Sequence, residues 1–140
     1  MKWPALPPDV MDTLPPRVTC ESDWQTALCL VLPRVLPLRL HRQIPGKKKV
    51  EHGGWMQGAP AGAADLSGWA RGGLRLEIEA KYGSGKLRPE QLLWRKVCAD
   101  WQVLHVVAHY DPADDLRTNL EAIARRVRKL LLDRGVEVPT

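Results

Sequence analysis

The sequence predicts a single α/β domain in which helices flank a mixed central β-sheet. Residues 74–81 alternate apolar and charged side chains with the two-residue period of a strand. Residues 101–110 are almost continuously apolar, as in a strand that is buried on both faces. Residues 116–130 carry apolar side chains three and four positions apart, the spacing of an amphipathic helix.

The composition sets limits on the class of protein. A chain of 140 residues is long enough to bury a core as one domain. Its net charge of +5 permits a nucleic-acid partner without requiring one. Three cysteines are an odd number without metal-ligand spacing, which favours a reducing cytoplasm. No apolar run approaches about 18 residues and no secretion signal opens the chain, so we expect no membrane partner.

The first half of the chain divides at residue 18. Residues 1–18 hold five prolines, and we interpret them as an extended arm without regular helix, separate from a domain at 19–140. The stretch "ESDWQTALCLVL" predicts a helix that ends at Pro33. Residues 37–44 alternate like a strand. A long glycine-rich, basic connection follows, with a short strand expected near Val50.

The second half predicts two strands, a helix, a strand and a helix. Residues 64–70 and 74–81 are strands joined through "RGG". A helix is expected from about Pro89, which suits a first helical position, to Asp100. After the apolar strand, the last helix is expected to start at Asp111. The order of elements is therefore α-βββ-α-β-α.

The hairpin over residues 64–81 places two carboxylates opposite each other. We take Gly72 as the centre of a three-residue loop. The directly opposed pairs are then Asp65 with Glu79, Ser67 with Glu77, and Trp69 with Arg75. Like charges in directly opposed positions are destabilising, and a divalent cation held between them would compensate. A two-residue loop would instead pair Asp65 with Ala80 and remove this argument.

Two further side chains share the face of this carboxylate pair. Lys81 lies two residues beyond Glu79, within reach of whatever the cation binds. Glu77 is expected to face solvent, with a supporting position beside the site as the alternative. The competing interpretation of the whole stretch is a solvated strand face whose charges neutralise one another.

The combined motif resembles the VRR-NUC family of PD-(D/E)XK nucleases. The resemblance rests on Gly62 and Asp65 before the hairpin, then "EAK", then "GSGKLRPEQ" opening a helix. It covers roughly residues 20–109. Two positions depart from the pattern: Ala64 stands in place of proline, and Arg88 replaces the small residue usual before Pro-Glu-Gln. The second departure predicts a less well capped helix start.

The resemblance implies a restriction-endonuclease-like fold and a set of site residues. Asp65, Glu79 and the backbone carbonyl of Ala80 would bind Mg²⁺ or Mn²⁺, and Lys81 would be catalytic. Gln91 matches a glutamine near the site in that family. Glu21 matches an acidic residue on the first helix and is a further candidate ligand.

The activity implied is metal-dependent hydrolysis of DNA phosphodiester bonds. Small stand-alone relatives resemble phage nucleases and can form dimers that cut branched DNA such as Holliday junctions. The resemblance thus implies the cytoplasm of a bacterial or phage-infected cell. A repair or restriction-type nuclease acting on another DNA structure is an alternative. So is a non-catalytic DNA-binding or assembly module that keeps the fold.

The expected DNA contacts are basic side chains in two loops that lead towards the site. They are Lys47, Lys48, Lys49, Lys86 and Arg88. The alternative for the lysine run is a solvated loop. "GSGK" lacks the spacing and the Ser or Thr of a phosphate-binding P-loop.

The expected homodimer would use apolar surface at both ends of the chain. Its candidate residues are Trp3, Leu6 and Val10 of the arm, with Leu116, Leu120, Ile123, Val127 and Leu130 of the last helix. The alternative is that the last helix covers its own sheet.

Overall fold

A computed structural model describes residues 8–44, 47–49 and 51–139 of the chain. The helices are α1 (Pro8–Thr13), α2 (Glu21–Val35), α3 (Pro89–Asp100) and α4 (Leu116–Asp133). The strands are β1 (Leu38–Arg42), β2 (Lys47–Lys49), β3 (Trp55–Gln57), β4 (Leu66–Ala70), β5 (Arg75–Tyr82) and β6 (Leu104–Tyr110). None of the helices in these ranges has the length and apolarity needed to cross a membrane.

The central sheet is mixed. Its strand order is β1-β4-β5-β6, with β1, β4 and β5 antiparallel and β6 parallel to β5. Parallel neighbours need a crossover connection, which α3 supplies. The prediction of a mixed α/β domain with flanking helices is therefore confirmed. Strands β2 and β3 pair only with each other, as a small hairpin within the basic connection.

The β4–β5 hairpin has the predicted register. Ser67 pairs with Glu77 and Trp69 pairs with Arg75. Gly72 and Gly73 in the loop have φ of 90° and 88°, a left-handed backbone conformation that residues other than glycine rarely adopt. Side chains alternate along a strand, so the odd-numbered residues of β5 lie on one face of the sheet and the even-numbered residues on the other. The pairing fixed by this loop places the odd-numbered residues of β4 on the same face as those of β5.

Helices α2 and α4 cover the even-numbered face and enclose the core. Leu28 and Leu32 of α2 and Val127 of α4 are completely buried together with Ile78 and Val106 of the sheet. Trp24 of α2 is also fully buried, and its indole Nε1 donates to the Ala108 carbonyl at 2.9 Å. Burying such side chains is the main source of stability in a domain of this size.

The apolar stripe of α4 packs within its own chain. Leu120, Ile123 and Val127 belong to the core cluster, and Leu116 and Leu130 pack against it while partly exposed. The expectation that this stripe pairs with a second copy is therefore wrong, because the helix covers its own sheet. The helix also starts later than predicted: Asp115 caps it, accepting a hydrogen bond from the Thr118 N–H at 2.7 Å.

Helix α3 lies on the odd-numbered face. Only Gln91 and Cys98 of this helix are buried, and Trp94 is half-buried. Gly62 explains how closely the preceding loop approaches α3: its φ is +80°, and an added Cβ would lie 2.1 Å from the Glu90 carbonyl oxygen. A side chain at this position would push α3 away from the strands.

Two predictions about prolines are wrong. Residues 8–13 form a helix, because Pro8 occupies a first-turn position where the missing N–H costs nothing. Val10 in this helix is buried within the chain and Leu14 packs on the core, whereas Trp3 and Leu6 lie outside the described residues. Helix α2 continues past Pro33 to Val35, so this proline lies inside the last turn and does not end the helix where predicted.

Candidate metal centre

Two carboxylates meet where β4 begins. Asp65 directly precedes β4, and its Oδ2 accepts a hydrogen bond from the Ala80 N–H of β5 at 2.9 Å. The negative charge of Asp65 is close enough to raise the pKa of Glu79. Because the N–H and C=O of one strand residue point to the same side, the Ala80 carbonyl faces the edge that carries Asp65. The hairpin register thus brings together Asp65, Glu79 and the backbone of Ala80.

Glu79 is held in an environment that disfavours its charge. The side chain is 2 % exposed, and its Oε2 is buried without a hydrogen-bond partner. Burial raises the pKa of Glu79 to about 8, with further contributions from Asp65, whereas Lys81 lowers it. Without a cation, the raised pKa therefore favours the protonated form of the Glu79 carboxyl at neutral pH.

Lys81 and Gln91 form a buried network with Glu79. The Lys81 Nζ donates to the Gln91 Oε1 at 3.1 Å and lies 3.8 Å from the Glu79 Oε1. The Gln91 Nε2 donates to the same Glu79 oxygen at 2.8 Å. The Gln91 Oε1 also accepts from the Arg88 N–H at 2.8 Å, which supplies the helix cap that the Arg88 side chain does not. Gln91 thereby connects the first residues of α3 to Glu79 and Lys81 through hydrogen bonds.

Glu21 lies near this site without touching its carboxylates. It is the first residue of α2, and its Oε1 lies 3.9 Å from the position of a Cβ built on Gly85. Its charge makes the smallest of the contributions that raise the pKa of Glu79. Glu21 is thus placed at the rim of the site.

The residues present suit a hard divalent cation. Within residues 8–44, 47–49 and 51–139, no three His, Cys, Asp or Glu side chains are grouped closely enough to hold a metal. The predicted ligand set, however, is two carboxylates and a backbone carbonyl, and Mg²⁺ commonly uses one or two carboxylates and keeps several waters. The unpartnered Glu79 Oε2 is an oxygen that a cation would satisfy. Asp65, Glu79 and Ala80 are therefore the residues that would hold it.

Glu77 is buried, so the expectation that it faces solvent is wrong. Helix α3 covers it, leaving 1 % exposed. Its Oε1 accepts hydrogen bonds from the Gln43 Nε2 and the Trp94 Nε1, both at 3.0 Å. The Cys98 Sγ lies 3.7 Å from its Oε2, and burial together with Glu77 raises the pKa of this thiol to about 12. Cys98 therefore stays a thiol and is a poor nucleophile.

Gln43 and Trp94 support the site and were missed by the sequence analysis. The Gln43 Nε2 also donates to the Ala64 carbonyl at 2.9 Å, and its N–H donates to the Asp65 carbonyl at 2.8 Å. The Gln43–Glu77–Trp94 network therefore links the backbone at Asp65 to α3. The pairing of Arg42 with Leu66 places Gln43 beside Asp65, but only the β1–β4 register reveals this.

The predicted DNA-contacting residues fall in two segments, of which only the one between β5 and α3 has described side chains. Lys86 and Arg88 are exposed in the turn between β5 and α3, and the Arg88 Nε lies 3.3 Å from the Glu90 Oε1. Lys47, Lys48 and Lys49 form β2, but their side chains lie outside the described part of the structure.

The raised pKa of Glu79 predicts how stability depends on pH in the absence of metal. The folded chain keeps this proton up to about pH 8, whereas the unfolded chain releases it near 4.5. The unfolded state therefore binds fewer protons between these values, and stability falls as the pH rises. Each unit of pKa difference corresponds to about 1.4 kcal/mol, so the loss amounts to several kcal/mol.

Urea denaturation in EDTA at pH 5 and pH 8 would measure this loss. We expect Glu79→Gln to flatten the decline and to be more stable than wild type at pH 8, because the amide carries no ionisable proton. An equally steep decline in the variant would show that another group causes it.

Comparison of the chain with models of protein families, with curated proteins and with solved structures gives no match. The resemblance to VRR-NUC enzymes therefore rests on the motif residues, whose side chains meet at the site described above.

Proposed function

We propose that this protein is a metal-dependent DNA endonuclease with a restriction-endonuclease-like PD-(D/E)XK core. The observation that supports the proposal best is the buried Glu79 beside the half-buried Asp65, with one unpartnered Glu79 oxygen and a lysine ammonium 3.8 Å from Glu79. A solvated charged strand would not bury Glu79 and Lys81 to 2 % and 7 % exposure. Buried charges persist in proteins when they are paired or coordinate metals.

The residues of the site have different roles in phosphodiester hydrolysis. When bound, Mg²⁺ or Mn²⁺ supplies Lewis acidity, which lowers the pKa of a water ligand and offsets negative charge on the phosphate. Asp65, Glu79 and the Ala80 carbonyl would hold the cation. The Lys81 ammonium adds fixed positive charge where the phosphate becomes more negative. Gln91 positions Lys81 through the 3.1 Å hydrogen bond to its Nζ.

The preferred substrate is proposed to be branched DNA, by resemblance to small stand-alone VRR-NUC enzymes. The deciding experiment incubates the protein with duplex, flap, splayed and four-way DNA in Mg²⁺, Mn²⁺ or EDTA. We expect cleavage that requires the metal and is fastest on a branched substrate. Metal-dependent cleavage of plain duplex alone would favour a repair or restriction-type enzyme. Binding without cleavage in any metal would favour a non-catalytic module.

We also predict a homodimer, because paired incision of a symmetric junction needs two sites. The α4 stripe is used inside the chain, so the contact surface must lie elsewhere. Light scattering at micromolar concentration tests the dimer. A monomer that still cuts both paired strands of a four-way junction would show that the dimer is not required.

A further inference from the structure

An exposed tryptophan lies between two arginines on the face of the sheet that carries the metal centre. Trp69 of β4 pairs directly with Arg39 of β1 on one side and with Arg75 of β5 on the other. Directly paired residues point to the same face, with Cβ atoms about 4.5–5.5 Å apart. Trp69 is 55 % exposed, and the ring of His41 lies 6.5 Å from it. Arg39, Trp69 and Arg75 therefore form a row across three strands, which presents an aromatic surface flanked by positive charge.

A shallow pocket adjoins this row. Its volume is about 310 Å³, and it is lined by Pro33 at the end of α2, by Pro37 of the α2–β1 connection, and by Arg39, Trp69 and Arg71. This volume is at the lower end of the range of about 300–1,000 Å³ for small-molecule sites. The combination of one exposed indole and two guanidinium groups suits a flat aromatic ligand that carries a negative charge.

The positive charge of the pocket is not compensated by nearby carboxylates. Within the described ranges, neither Arg39 nor Arg71 has a carboxylate within 4.0 Å. Arg75 differs from them, because its guanidinium lies 3.8 Å from Glu77 and donates to the Ser67 Oγ at 3.0 Å. Arg39 and Arg71 are thus available to an anionic ligand.

The row and the metal centre can be reached by one strand of nucleic acid. Asp65 and Trp69 are four residues apart, which corresponds to about 13 Å at roughly 3.3 Å per strand residue. They lie on the same face, because side chains alternate with a period of two. Each strand of B-form DNA carries one phosphate per about 3.4 Å of helix axis, so a few nucleotides span this distance.

We propose that Trp69 stacks on an unpaired base of single-stranded DNA while Arg39 and Arg71 contact the adjacent phosphates. A base inside a duplex already stacks on its neighbours and has no free face for an indole, whereas flaps and branch points expose such bases. Aromatic stacking combined with cationic side chains is the common means of binding single strands. This inference rests on the proposed function for the nature of the ligand, and it gives the branch preference a structural basis.

The test measures the affinity of a fluorescein-labelled single-stranded oligonucleotide by anisotropy in EDTA, so that cleavage does not interfere. Trp69→Ala should weaken binding by about 5-fold to 150-fold, the range for loss of one base stack. Trp69→Phe should restore most of it. Trp101→Ala is the matched control, because Trp101 is 80 % exposed and lies at the end of α3. It should bind like wild type.

Salt dependence separates stacking from phosphate contact. Arg39→Ala should reduce the slope of log affinity against log salt by about 0.7, whereas Trp69→Ala should leave the slope unchanged. If Trp69→Ala binds single strands as tightly as Trp101→Ala, the proposed stacking site is wrong, even where wild type cleaves DNA. If Trp69→Ala loses affinity but wild type cuts no DNA in any metal, the binding site stands and the nuclease assignment fails. If wild type binds no DNA, both the stacking site and the nuclease assignment are wrong, and the exposed Trp69 would instead be a candidate contact for a protein.

Discussion

We expect Glu79→Gln to lower the rate of DNA cleavage by about 10³-fold while leaving the fold intact. The substitution keeps the shape of the side chain and the acceptor for the Gln91 Nε2, which donates to Glu79 at 2.8 Å. It removes the anionic oxygen that has no partner in the protein, and hard cations bind neutral amides more weakly than carboxylates. Lewis-acid stabilisation of several kcal/mol would be lost, and about 4 kcal/mol corresponds to this rate factor.

The measurement is single-turnover cleavage of the best branched substrate at saturating Mg²⁺, with DNA affinity measured separately in EDTA. Glu137→Gln is the matched control, because this carboxylate is exposed beyond α4. Wild-type activity of Glu79→Gln, or undiminished wild-type activity in EDTA, would refute the metal centre. Isothermal titration with Mn²⁺ alone gives a readout independent of turnover, and we expect the variant to bind this metal more weakly.

Asp65 requires a different substitution. Its Oδ2 accepts the Ala80 N–H, so Asp65→Ala would leave that backbone donor without its partner and combine a structural effect with loss of a ligand. Asp65→Asn retains an acceptor oxygen. For this reason Glu79→Gln is the cleaner test of metal binding.

The central strands and the hairpin register could be predicted because they depend on local signals. The alternation from Leu74 to Lys81 defines which side chains share a face of β5. The two glycines at 72 and 73 then determine the loop and, through it, the opposition of Ser67 and Glu77. Proximity of Asp65 to Glu79 follows from these two facts alone.

The surroundings of the site could not be predicted because they depend on contacts between distant elements. Alternation places Glu77 on a charged face but does not reveal that α3 covers it. That placement depends on Gly62, which lets the loop approach the Glu90 carbonyl. The position of Gln43 depends on pairing between β1 and β4, which are separated by the β2–β3 hairpin. Sequence periodicity carries no signal for such contacts.

Lys81→Met should lower turnover by about 10²–10³-fold and change DNA affinity by less than about threefold. Removing one donor that stabilises developing charge has an effect of this size on the rate. The effect on affinity is small because Lys81 is 7 % exposed and held by Gln91, while binding depends on many exposed basic groups. Methionine fills the buried volume, so the fold should be retained.

The result at one pH would be ambiguous, because Lys81 also lowers the pKa of Glu79. Losing its ammonium should raise that pKa further, so that metal binding requires a higher pH. Turnover is therefore measured at saturating Mn²⁺ from pH 7 to pH 9, with Lys96→Met as the control for loss of an exposed charge on α3. If Lys81→Met regains wild-type turnover at high pH, Lys81 acts only by keeping Glu79 ionised. A deficit that persists across the range indicates that the ammonium acts on the reacting phosphate, and a collapse of affinity with normal turnover would make it a phosphate anchor instead.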